Sequence, residues 1–250
     1  MAKKPRVYLG IGHGGSDPGA VANGIKEKDA NLVIGKAAAA ELERHGVEVM
    51  LSRTKDETDT VNAKVKECNK YDPDLAGDIH NNAGGGDGAE VLHSINGGTG
   101  KELANNILIE VKAIGQNSRG AKTKKNSRGT DYFGFIRDTK CPAVIVECAF
   151  LDNKKDVQII DTEAEQKAMG VAIAKGFLRQ LKIPYKKQET TAKPAPAPAP
   201  AAPTTTGTMY RVYDKDGKQV GAYSKEANAF DQVKKQLKTG GAARITLSEK

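Results

Sequence analysis

Apolar residues in this chain fall into two alternating kinds of run, and the alternation predicts an architecture. The first, Arg6-Val7-Tyr8-Leu9-Gly10-Ile11, is strand-sized, nearly continuous in apolar character, and ends at His13 among glycines. Such a run suits a parallel strand buried on both faces. The next, from Asp29 to His45, has helical spacing. Ile34, Ala38 and Leu42 stand four apart, with Val33 and Ala37 beside them, and Gly46 ends the run. Asp29 is expected to cap this helix. Strand-sized runs recur at Val47–Leu51, Leu75–Ile79 (followed by His80), Glu90–Ser94 and Ala143–Val146 (followed by Glu147). A helix is predicted near Thr60–Lys70. Another opens at Thr99, with Glu102 completing a capping box and a stripe of Ala104, Ile107, Leu108, Val111 and Ile114. The last covers Thr162–Leu181, again with a Thr-x-x-Glu start at Thr162 and Glu165. Residues 116–131 are basic and rich in Gly, Ser and Asn, and read as a long surface loop. Strands separated by helices of this length predict an α/β fold: a twisted, mostly parallel sheet with helices on both faces.

The pattern breaks at Lys193-Pro-Ala-Pro-Ala-Pro-Ala-Pro-Ala-Ala-Pro, followed by Thr204-Thr-Thr-Gly. This composition makes an extended spacer. The expected plan is a body over 1–185, a Pro/Ala/Thr-rich linker over 186–207 and a tail module over 208–250. In the tail, Tyr210 and Val212 alternate with polar residues, Asp214–Lys218 forms a turn, and Gln219–Tyr223 reads as a second strand. Ser224 caps a helix bearing Ala227, Phe230, Val233 and Leu237, and Ala243–Leu247 is a third strand. This is a small α+β module of ββαβ type, near the lower size limit for independent folding. It could pair with a second copy of itself.

Composition narrows the function classes. No apolar run approaches the roughly 20 residues that a membrane helix needs, so membrane insertion is not expected. The run after Met1-Ala-Lys-Lys-Pro is too short for a secretory signal. The chain is therefore expected to be made in the cytoplasm without a signal peptide. Its three cysteines, Cys68, Cys141 and Cys148, lack metal-type spacing and read as free thiols, although Cys148 could lie near Cys141. The net charge is +8; residues 208–250 hold nine Lys/Arg against five Asp/Glu, so +4 sits in the tail. A basic surface favours polyanions such as an anionic wall polymer. The dense basic clusters with interleaved aromatics that favour nucleic acid are missing, so no nucleic acid is expected as partner.

Candidate chemistry gathers at strand ends. His13, His80 and Glu147 each follow a strand-sized run, and parallel strands would raise all three from one sheet edge, where open α/β sheets keep their sites. Two histidines and a carboxylate form a common ligand set for catalytic zinc. For the carboxylate ligand, Glu27 is favoured. It follows a Gly24-Ile25 turn just before the first long helix, whereas Asp17 fits a turn and Asp29 a helix cap. Glu147 is then free to act as general acid and base. Glu90 competes for that role, but it begins its strand, and by position it is expected at the opposite edge.

Gly12-His-Gly-Gly15, Glu27 before a helix, Ile79-His-Asn-Asn82, Gly88-Ala-Glu-Val91 and Pro142-Ala-Val-Ile-Val-Glu-Cys-Ala-Phe-Leu-Asp-Asn153 together closely resemble the zinc-dependent N-acetylmuramoyl-L-alanine amidases of the amidase 3 type. The resemblance covers residues 5–182 in the family's order. It implies Zn²⁺ held by His13, Glu27 and His80, with Glu147 as catalytic acid and base. The reaction it implies is cleavage of the amide between N-acetylmuramic acid and L-alanine in bacterial peptidoglycan. Asp78 stands where a small hydroxyl residue is common in that family, and Cys148 where glycine is. Beside the second histidine, Asn81 and Asn82 are expected to contact substrate or orient the site. Arg119, Lys122, Lys124, Lys125 and Arg128 could line the approach of an anionic substrate or form a solvated loop. Phe133 and Phe135 could be an aromatic wall or core contacts; His45 and His93 read as structural. A catalytic body, a Pro/Ala linker and a small tail are similar in plan to a bacteriophage endolysin, which reaches the wall once the membrane is breached. The tail would be a wall-binding module; Tyr210-Arg-Val212 and Val220-Gly-Ala-Tyr-Ser224 faintly resemble the sporulation-related peptidoglycan-binding repeat. A host autolysin of the same activity, a zinc carboxypeptidase and a non-catalytic wall-binding protein remain alternatives.

Overall fold

Strands at the centre and helices outside follow from where the apolar residues fall. The computed structural model describes residues 3–187, 209–214, 219–223, 232–234 and 243–248. The chain divides into two units, Met1–Gln188 and Glu189–Lys250. In the first, the elements run β1 (Arg6–Ile11), β2 (Val21–Ala22), β3 (Ile25–Lys26), α1 (Glu27–Arg44), β4 (Glu48–Leu51), α2 (Val61–Tyr71) and β5 (Leu75–Asn82). They continue with β6 (Ala89–His93), α3 (Gly98–Ala113), β7 (Ser118–Lys122), α4 (Gly134–Asp138), β8 (Ala143–Phe150) and α5 (Glu163–Gln180). The main sheet has the order β4-β1-β5-β8-β6-β7. Strands β4, β1, β5 and β8 run parallel, β6 is antiparallel to β8, and β7 is parallel to β6.

Side chains alternate across the sheet, so each strand feeds two cores. Val7, Leu9, Ile11, Ile79, Val144 and Val146 pack against α1, α3 and α5 through residues such as Ile34, Leu42, Ile107 and Phe177. Tyr8, Ala76, Leu92, Ala143 and Ile145 face the other way, onto Cys68 of α2 and Phe135 and Ile136 of α4. Helices therefore cover both faces, as the alternation predicts. Phe135 is core; Tyr132, just before it, is half exposed.

Several local expectations need correction. Helix α1 begins two residues early, at Glu27, with Lys26 at its N-cap and no side-chain cap bond. Asp29 lies inside the first turn, where its charge suits the helix dipole. The Thr99/Glu102 capping box does not form: α3 starts at Gly98 behind Gly97 without a side-chain cap. Glu102 instead accepts a hydrogen bond from Gln180 of α5 at 3.2 Å. The second box does form, with Thr162 and Glu165 bonding each other's backbone. Residues 116–131 are not all loop, because Ser118–Lys122 form edge strand β7. Cys148 is buried away from Cys141, whose sulfur lies 4.0 Å from that of Cys68.

The second unit shows a three-stranded antiparallel sheet of order β10-β9-β11, from β9 (Met209–Asp214), β10 (Gln219–Tyr223) and β11 (Ala243–Ser248). Residues 232–234 are helical. The spacer expected at 186–207 and most of the helix expected from Ser224 lie outside the described residues. Among the described residues, no helix is long and apolar enough to cross a membrane.

Candidate active site

The register of the sheet builds the site. Residues two apart on a strand share a face, so His80 follows Ala76 and Asp78 onto the α2 side of β5, and Glu147 follows Ala143 and Ile145 onto the same side of β8. His80 pairs with Glu147, and Glu147 pairs in turn with Glu90 of β6. Three ionisable side chains thus stand in a row across three adjacent strands. Glu90 is not at the opposite edge: the reversal of β6 brings the start of that strand to the end of its neighbours.

Past β1, the backbone enters the left-handed region at His13, with φ 62°. A histidine seldom adopts this conformation, and here it accompanies a ring held beside Glu27. Arg53, 2% exposed, donates to the carbonyls of Gly12 and Lys28 at 3.2 and 2.7 Å, and so fixes the loop. Gly12 is required for space, since a Cβ there would lie 2.3 Å from the His80 ring.

Glu27 opens α1 with its carboxylate buried between the two imidazoles. Its Oε2 is 3.1 Å from His13 Nε2, and its Oε1 is 3.1 Å from His80 Nδ1. The amides of Ala20 and Asn81 donate to the same two oxygens at 2.9 and 3.0 Å. Burial opposes ionisation, yet the hydrogen bonds from His13 and His80 hold this carboxyl well below the usual carboxylate range. Burial also works against a charged His80 ring, but Asp78 and Glu27 outweigh it and raise its pKa to about 10. Hydrogen bonding to Glu27 raises His13 as well, against its burial. The far nitrogen of each ring also meets a carboxylate: His13 Nδ1 lies 2.8 Å from Asp17, and His80 Nε2 lies 3.4 Å from Asp78. One donor atom from each of His13, Glu27 and His80 lies within 4.8 Å of the others, so the trio could hold a metal ion. Two imidazoles and a carboxylate, each imidazole backed by a second carboxylate, are a donor set that fits zinc.

Glu147 is different in kind. It is half-buried, and its Oε2 is buried with no hydrogen-bond partner. Burial pushes its carboxyl up to about 7; the positive field of His80 opposes this, and the negative fields of Glu27 and Glu90 add to it. Glu90, its neighbour, is ion-paired with Arg119 at 2.8 Å and Lys122 at 2.5 Å. Against its burial, those cations hold Glu90 below the usual range. Of the two competing carboxylates, then, one is neutralised by β7 and the other is left without a partner.

Asn81 is buried, and its amide donates to Asn31 at 2.8 Å; Asn31 in turn donates to Glu27 and to the Gly12 carbonyl. The side chain of Asn81 thus turns into the frame behind Glu27. Asn82 donates to Glu90 at 3.3 Å and sits nearer the mouth. From the basic stretch, Arg119 lies over the Phe150 ring and Lys124 over Tyr132, so these cations are anchored to aromatic groups. His45 binds backbone at Glu41 and Lys186, and His93 at Ser94, as structural histidines do. Sequence reasoning singled out Asp78 only as a departure from the family's pattern, and it missed Lys64, Arg53 and Asn31 as parts of the frame. Of the four, Asp78 alone carried a signal, its i−2 spacing from His80.

Residues 7–179 match the family model Amidase_3, N-acetylmuramoyl-L-alanine amidase, and the chain belongs to that family. It is an enzyme that hydrolyses the amide joining muramic acid to L-alanine in peptidoglycan. The chain is 29% identical over 246 residues to a sporulation-specific N-acetylmuramoyl-L-alanine amidase of Bacillus subtilis, covering 97% of this chain and 84% of that protein. It is 35% identical over 181 residues to an endolysin of Bacillus phage SPP1, covering 66% of this chain and 64% of that protein. The solved catalytic domain of CwlV, an N-acetylmuramoyl-L-alanine amidase from Bacillus (Paenibacillus) polymyxa, superposes with a TM-score of 0.65 at 27% identity, covering 72% of this chain and 99% of that one.

Proposed function

We propose that the hydrolysis is zinc-dependent, with His13, Glu27 and His80 holding the ion and Glu147 moving the proton. The observation that carries this reading is the buried Glu27 carboxylate set between two imidazoles, one strand away from a carboxyl that has no partner of its own. Zinc held there would supply Lewis acidity toward the scissile carbonyl and make water more acidic. Glu147, whose Oε2 has no hydrogen-bond partner, can take a proton from the attacking water and deliver it to the departing amine. The carbonyl carbon gains the water oxygen, the carbon–nitrogen bond breaks, and the nitrogen of L-alanine leaves as a free amine. Asn82 and the Arg119/Lys122 pair flank this point and suit an anionic peptide stem. Muropeptides digested with and without a chelator should be compared by mass spectrometry. New L-alanine amino termini that vanish with chelator and return with zinc are expected. New reducing sugar ends, or free carboxyl-terminal amino acids, would sink the proposal.

The domain reading places the amidase in 1–185, a tether in 186–207 and a module in 208–250 that holds the wall through anionic polymer and could pair with its own copy. The tail's charge of +4 supports it, as does the alignment of the sporulation-specific relative over nearly the whole chain. Work as a phage endolysin, acting after membrane breach, is supported by the phage relative; a host autolysin is the second reading. Expressed in bacteria without an added leader, the chain should leave cells intact until their membrane is permeabilised. Lysis before that step would favour the second reading.

A further inference from the structure

Behind His80 lies a buried ion pair that the chemistry above does not use. Lys64 of α2 and Asp78 of β5 are 2% and 1% exposed. Lys64 Nζ donates to both Asp78 oxygens at 2.8 Å. Strand β1 makes room for them, since a Cβ at Gly10 would lie 2.5 Å from Asp78 Oδ1 and 3.2 Å from Lys64 Cδ.

Such a pair is a poor device for stability alone. Taking both charges out of water costs about as much as their attraction returns, and an apolar pair of equal volume often does better. What the pair does supply is a carboxylate whose position is fixed. Asp78 Oδ2 lies 3.4 Å from His80 Nε2, on the far side of the ring from the nitrogen that faces Glu27. A carboxylate bound to the outer nitrogen of a metal-ligating imidazole sets the ring's orientation and strengthens it as a donor. His13 has a counterpart at a shorter 2.8 Å, but the Asp17 side chain that meets its Nδ1 is 63% exposed, so water screens it and leaves its position less fixed.

We propose that Lys64 and Asp78 are a positioning pair for His80: Lys64 locks the Asp78 carboxylate, and Asp78 holds Nε2 so that Nδ1 is presented beside Glu27. The assignment rests on reading His13, Glu27 and His80 as the metal centre. Lys64 touches neither metal nor substrate, and it acts only through Asp78.

The test uses the full-length chain, with zinc affinity read by chelator competition and melting temperature read on the zinc-free protein. Wild type is measured first; a chain that takes up no zinc would remove the metal centre and the pair's role together. The double variant Lys64→Met/Asp78→Ser replaces both charges at once. Its zinc affinity should fall about 10- to 100-fold, while its zinc-free melting temperature stays level or rises. Asp17→Asn should cost less zinc affinity than the double variant. A pair with a merely structural role gives the converse, a lower melting temperature with zinc affinity within twofold of wild type. Unchanged affinity overturns the proposal whatever the melting temperature. Should the double variant fail to fold, Asp78→Asn keeps the volume without the charge and is judged by the same criterion, with an expected loss of about tenfold.

Discussion

Glu147 carries the sharpest predictions at the scale of single residues. Replacement by Gln should lower kcat by about 10²- to 10⁴-fold, the usual worth of a general acid–base group, while leaving zinc affinity close to wild type. Steady-state kinetics and chelator competition would separate the two effects. A second consequence concerns stability. In the fold this carboxyl is raised from 4.5 to about 7. Its protonated form is favoured there, so its contribution to stability is complete below about pH 4.5 and is lost as pH rises through 7. In zinc-free protein, Glu147→Gln should therefore gain stability over wild type above pH 7, by on the order of 3 kcal/mol. Denaturant melts at pH 5 and pH 8 would show the gain only at the higher pH. The histidines and Glu147 were legible because a polar residue closing a buried strand has few places to go but the sheet edge. Glu90 was misjudged because its position depends on the direction of β6, which is set by pairing with β8 and not by anything in Glu90-Val-Leu-His-Ser94. Lys64 was invisible for a similar reason: on α2 it reads as one more solvent-facing lysine, and only the space left by Gly10 admits it to the interior.

Helix α5 illustrates the scale of the element. Its start was readable, since Thr162-x-x-Glu165 needs only local backbone to form its box. Thr162→Ala should lower stability by about 1 kcal/mol in a thermal melt, with activity unchanged at low temperature. Farther along, Gly170 lies so close to α1 that a Cβ would meet the Ile34 carbonyl oxygen at 2.3 Å. Gly170→Ala improves helix propensity but forces two helices apart, and about 1–3 kcal/mol of destabilisation is expected in the same melt. The opposite sign would mean that α5 can slide. Strand β7 escaped the sequence pattern because Ser-Arg-Gly-Ala-Lys has no apolar alternation; an edge strand needs little, and its basic residues guard the edge while meeting Glu90. The failed box at Thr99 has a comparable cause. Glu102 reaches α5 instead, a partner far away in sequence.

At the scale of the whole molecule, the division into two units at residue 188 gives a prediction of its own. Residues 1–187 alone should cleave soluble muropeptides at the rate of the full chain but bind and clear intact walls more weakly. The loss should shrink as salt is raised, because the tail's part of the attraction is charge-borne and screened. Sedimentation with purified walls at two salt concentrations measures it, and equal binding by both forms would end the tethering idea. The broad plan of the body was legible from alternation alone. Sheet order was not, because β8 enters between β5 and β6 through contacts that no local pattern records.

The reversal of β6 has a consequence for how such a protein can change over time. Because β5 ends and β6 begins at one edge, the link between them, Ala83–Gly88, never leaves the mouth of the site. It is pinned by Asp152 to the amides of Gly84 and Gly85, by Asn153 to the Gly86 carbonyl and by Asp156 to the amide of Gly88, and Asn117 donates to the Asp87 side chain at 3.0 Å. Residues inserted there would not have to be threaded through the sheet or past a helix. They would emerge directly over the row of His80, Glu147 and Glu90. Variation in the length of this one link could remodel what approaches the reacting bond while the core beneath it stays as it is.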